Sequence, residues 1–76
     1  MTNQDIAKRL RERASELARG GENLYRVRAF RQAAFAVMGL EADVCRLVSA
    51  EGARALERVP GIGKSLSETI AQIAAN

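Results

Sequence analysis

Histidine and tryptophan are missing from this 76-residue chain, and cysteine and proline occur once each. Without histidine, Cys45 has no companion for a zinc cluster, and without a second cysteine it forms no internal disulfide. Cys45 is therefore expected to fill a small space in the core. Aromatic residues make up 4% of the chain. Runs of β-branched and aromatic residues are lacking, and no alternation marks a strand. No apolar run approaches the length of a membrane span, and none has the layout of a signal peptide. By default this points to a cytoplasmic location, with which nucleoid association is compatible.

What is present is alanine and other good helix formers, arranged with helical period. A chain this short buries a modest core and lies near the lower edge of independent stability. It is read as one domain, residues 1–76. The formal net charge is +3. It is unevenly spread: eight cationic side chains face four acids up to Arg31, and four face five beyond it. An excess confined to part of a small domain can steer a polyanion, although charged helix faces are also ordinary solvent coating.

Thr2 is expected to cap a first helix, with Asp5 completing a reciprocal box. Ile6, Leu10, Ala14 and Leu17 form its apolar stripe, and Gly20-Gly21 stops it. After the approach segment Glu22 to Tyr25, Asn23 caps a second helix running to about Met38. Val27, Phe30, Ala34 and Val37 give that helix its apolar face, which Ala33 and Met38 widen. Arg26, Arg28 and Arg31 fall in its first turns, where cations oppose the macrodipole. Salt bridges to the first helix or an anionic partner would each explain them. A third short helix is expected over Glu41 to Ser49, with Val44, Leu47 and Val48 inward and Glu41 and Asp43 in its first turn. Ala53 to Arg58 adds a turn or two around Leu56. The last helix spans Lys64 to about Ala75 on Leu66, Ile70 and Ile73, with Ser65 and Ser67 as ordinary helix-end residues. The expected fold is all-α: four or five short helices around one small core.

The stretch Val59-Pro60-Gly61-Ile62-Gly63 joins the last two helical segments, within a hairpin motif over residues 53–75. Pro60 fixes the entry to a turn, and the two glycines allow angles or close approaches that other residues resist. Two readings fit. The stretch is a tight connector, or its backbone N–H groups, opening onto a helix N-terminus, cradle an anion.

The segment Leu56 to Leu66 resembles the helix-hairpin-helix motif of DNA-repair proteins. The upstream segment Gly21 to Ala34 sharpens the likeness. Together they are similar to the N-terminal domain of family X DNA polymerases, the lyase domain of the DNA polymerase beta type, without the polymerase domains. The resemblance implies that backbone N–H groups around Gly61, Gly63, Lys64 and Ser65 hold a DNA phosphate. It implies that the carbonyls of Glu57, Val59 and Ile62 can hold Na+ or K+, and that no cofactor is otherwise required. It further implies a 5′-phosphate pocket at DNA gaps, with Arg26 matching one of the family's lysines and Phe30 a tyrosine. Arg28 and Arg31 are the other candidate phosphate contacts. Ser65 stands where another family lysine would be, and Lys64 beside it is a partial substitute.

The chemistry of the resembled lyases needs an amine that forms a Schiff base. Their nucleophilic lysine is matched here by Thr69, which cannot form an imine. Lys64 stands five residues earlier, and Lys8 is remote in sequence. The leading expectation is sequence-independent DNA binding through the phosphate backbone, at gaps or 5′-phosphate ends in DNA repair, with no catalytic residue assigned. A protein-interaction or structural helical module is the alternative, and a minimal deoxyribose-phosphate lyase using Lys64 ranks last.

Overall fold

The computed structural model describes residues 1–75. Its elements are α1 (Asn3–Arg19), α2 (Leu24–Met38), α3 (Val44–Glu51), a 3₁₀ helix (Ala53–Arg58) and α4 (Lys64–Ala75). Among the described residues there is no strand. The fold is all-α, as the absence of alternation implied.

The caps of the first two helices follow from the residues at their ends. The Thr2 hydroxyl accepts from the Asp5 N–H at 3.1 Å, and the Asp5 carboxylate accepts from the Thr2 N–H at 3.0 Å. These bonds hold the Asp5 carboxyl below its ordinary value, chiefly through the Thr2 backbone N–H. At the far end of α1, Glu22 N–H reaches Leu17 O at 2.9 Å and Gly21 N–H reaches Ala18 O at 3.3 Å. That is a Schellman pair, and it needs the left-handed residue supplied by Gly21 at φ 76°. Asn23 Oδ1 then caps α2 by accepting from Tyr25 N–H at 2.8 Å.

The short link makes α1 and α2 the most extensively packed helix pair in the fold. Ile6, Leu10 and Ala14 of α1 meet Val27, Phe30, Ala33, Ala34 and Val37 of α2 in one core. Val44, Leu56, Ile62, Ile70 and Ile73 bring the C-terminal half into the same cluster. Leu17 is half-buried at its margin.

Four expectations are corrected. The third helix begins at Val44, and Glu41 lies outside it. Asp43 caps this helix from outside, accepting from Arg46 N–H at 3.3 Å. Helix α2 includes Leu24 and Tyr25 instead of starting after them, because Asn23 caps directly onto Leu24. Met38 does not widen the apolar face; it is 46% exposed, rotated out past Val37. Ser67 is fully buried, not an ordinary helix-end residue, and its hydroxyl donates to Lys64 O at 2.6 Å. That bond satisfies the hydroxyl within its own helix. Cys45 packs against the core while half-buried, with Sγ 3.2 Å from Met1 O.

Candidate functional site

The turn Val59-Pro60-Gly61-Ile62 is closed by a bond from Ile62 N–H to Val59 O at 3.0 Å. Proline at its second position and a glycine with φ 92° at its third are the requirements of a type II turn. Ile62 is buried and Val59 half-buried, so the turn is pinned to the core on both sides of its exposed tip, Pro60-Gly61. Gly63 O accepts the first helical bond of α4, from Ser67 N–H at 2.8 Å.

The two glycines have different tasks. Gly61 needs its left-handed backbone, and it lies beside α2, near Ala36 Cβ and Gln32 O. Gly63 has no positive φ, and a Cβ there would meet nothing within 4 Å. The fold therefore does not require glycine at position 63. An empty approach above a helix N-terminus is what the glycine leaves.

Around that approach, the backbone N–H groups of Gly61, Gly63, Lys64 and Ser65 donate to no acceptor among the described residues. All four residues are exposed. Unpaired N–H groups at the start of a helix, together with its dipole, form a site for an anion. On the other side of the turn, Val59 O is already used by Ile62 N–H, while the carbonyls of Glu57 and Ile62 accept no hydrogen bond among the described residues. A carbonyl has a second lone pair, so Val59 O retains acceptor capacity.

The three arginines of α2 do not come together in one pocket. All are exposed. Arg26 lines a groove of about 420 Å³ with Phe30 and Arg13, but Glu16 and Glu22 line it too. Arg31 lines a different groove, with Arg11 of α1. Arg28 lines neither of these grooves. The separation follows from the helix: Arg26 and Arg31 are five positions apart, about 140° around α2. The salt bridges to α1 that would have explained these arginines are not formed. Among the described residues the ion pair is Arg58 to Glu51, at 3.0 Å on the surface.

Thr69 is half-buried, and its hydroxyl donates to Ser65 O at 3.1 Å, so it is turned back along its own helix. Sequence reasoning overlooked the apolar side chains that α2 presents to solvent. Tyr25 is 83% exposed, Phe35 82% and Leu24 67%. Phe35 carries a readable signal, since it falls one position beyond Ala34 and off the stripe formed by Val27, Phe30, Ala34 and Val37.

Residues 1–76 match the family model of the helix-hairpin-helix domain. Searches of curated proteins and of solved structures give no significant match.

Proposed function

The chain belongs to the helix-hairpin-helix domain family, and from that premise we propose that it binds DNA through the phosphate backbone without reading sequence. The observation that carries this reading is the set of unengaged N–H groups at Gly61, Gly63, Lys64 and Ser65, over an approach that Gly63 keeps open. A phosphate oxygen seated there accepts charge-assisted hydrogen bonds and meets the positive end of α4. Lys64 adds a full positive charge in the first turn. Such contacts fix position on the duplex and carry no base information.

Within this reading, the carbonyls of Glu57, Val59 and Ile62 hold a monovalent cation, Na+ or K+, that bridges to the phosphate. The donor set suits it, since neutral carbonyl oxygens are ligands for a hard cation and two of the three are otherwise unengaged. Replacing K+ with tetramethylammonium at equal ionic strength then weakens binding.

By its resemblance to family X polymerase lyase domains, we read the module as acting at gaps or 5′-phosphate ends in DNA repair, with Arg26, Arg28 and Arg31 as further phosphate contacts. A terminal phosphate at Arg26 gains Arg13 but is opposed by Glu16 and Glu22. Preference for a 5′-phosphate is therefore expected to be small.

The test is a fluorescence-anisotropy titration against intact, nicked and gapped DNA, with and without a 5′-phosphate, for the wild type and Gly63→Val. The expected result is weak binding whose log affinity falls with log salt at a slope of about 2 to 3, reflecting a few phosphates. Gly63→Val is expected to lose about tenfold or more, the worth of a charge-assisted hydrogen bond, with an unchanged circular dichroism spectrum. Unchanged affinity in that variant would refute the hairpin as the phosphate site.

A further inference from the structure

Helix α2 leaves Phe35 and Met38, one turn apart, in solvent. Both line a groove of about 350 Å³ between α1 and α2, together with the buried Ala34 and with Ser15 of α1. Arg11 and Arg31 complete the lining, and no acid contributes to it. Neither arginine is in an ion pair among the described residues. A concave apolar strip between two helices, with a flexible thioether in its wall, is suited to receive a side chain from another polypeptide. The two guanidiniums specify the charge of that polypeptide, because each can take a carboxylate in a bidentate pair.

We propose that this groove docks a short acidic segment of a protein partner, with an apolar anchor between Phe35 and Met38 and carboxylates on Arg11 and Arg31. A second copy of the chain is a poor occupant. A two-fold contact through this patch would set Arg11 and Arg31 against the same cations of the other copy. A DNA strand held at the hairpin is also a poor one. Gly61 lies beside Gln32 and Ala36; at about 100° per residue Phe35 points about a quarter of a turn away from them, and Arg31, Met38 and Ala34 about a third to a half of a turn. The groove and the hairpin can therefore be filled at once, and the proposal does not depend on DNA binding at the hairpin.

The experiment is selection of a displayed library of random dodecapeptides on the wild-type protein, followed by anisotropy titration of the enriched peptide. The expected consensus is Leu, Phe or Trp flanked by Asp or Glu. Affinity for that peptide is expected to fall about tenfold or more in Phe35→Ala, as for an interface anchor. Arg31→Glu should weaken it likewise, and a peptide with Lys in place of the acids should regain binding to that variant. Phe35 and Arg31 are exposed, so both variants are expected to keep the wild-type circular dichroism spectrum, and Phe35→Ala is expected to keep the hairpin DNA affinity as well. No enrichment, or a consensus without acids, would overturn the proposal. So would a Phe35→Ala variant that binds the peptide normally but loses oligothymidine, which would give the groove to nucleic acid. A concentration-dependent dimer abolished by Phe35→Ala would overturn it in favour of self-association.

Discussion

Gly61 sits against Ala36: a Cβ added to the glycine would stand 3.7 Å from the alanine Cβ, at ordinary van der Waals distance. Space therefore does not forbid a side chain at position 61; the backbone does, at φ 92°. The tip of the hairpin is thereby held beside the middle of α2, and the loop is oriented by tertiary packing as well as by its own turn.

Gly61→Ala is accordingly expected to destabilise the fold by about 1–2 kcal/mol, the cost of a left-handed conformation for an L-residue. Gly63→Ala carries no such penalty. Urea denaturation of the two variants measures the contrast. Equal destabilisation would show that the glycines share a structural task.

The box between Thr2 and Asp5 makes stability depend on pH. The folded-state pKa of Asp5 is depressed, so its contribution is complete above the ordinary value of 3.8 and is lost as pH falls through the lower folded value. The difference in melting temperature between wild type and Asp5→Asn is expected to be present at pH 6 and to shrink toward pH 2. A difference that stays constant over this range would show that the carboxylate charge has no part in the cap.

Ser67 occupies a fully buried position in which its hydroxyl is satisfied by Lys64 O. Ser67→Ala removes that bond without leaving a polar side chain unpaired, and a change within about 1 kcal/mol is expected. Ser67→Leu overfills the site and is expected to cost about 1–3 kcal/mol. Thermal or urea unfolding distinguishes these outcomes, and tolerance of leucine would mean that the helix can shift.

Thr69 presents a hydroxyl where Schiff-base chemistry would require an amine, and that hydroxyl is bonded to Ser65 O. Borohydride treatment in the presence of an abasic-site oligonucleotide is expected to trap no covalent adduct. An adduct that disappears in Lys64→Ala would identify Lys64 as a nucleophile and reverse this expectation.

The local features of the chain were legible because they depend on neighbours in sequence. Thr2 with Asp5, Gly21 and Asn23 mark helix ends through bonds spanning only a few residues. Pro60-Gly61 dictates its turn through two φ angles, and the apolar stripes of α1, α2 and α4 follow from a 3.6-residue period. The start of α3 was less legible, because a long-range contact fixes it: Asn3 Oδ1 accepts from Val44 N–H at 2.9 Å, and its Nδ2 donates to Ala42 O at 2.8 Å.

The sequence by itself determined which residues could turn, cap and offer N–H groups, since these are properties of single side chains and short spans of backbone. Tertiary structure decided which surfaces those groups share. It separated Arg26 from Arg31, because helical rotation and the packing of α1 carry them into different grooves. It buried Ser67 and exposed Phe35 and Met38, because burial depends on which face meets a neighbouring helix and not on the polarity of the residue alone. It also seated Gly61 beside Ala36, a contact between residues far apart in the chain that exists only once the helices have packed.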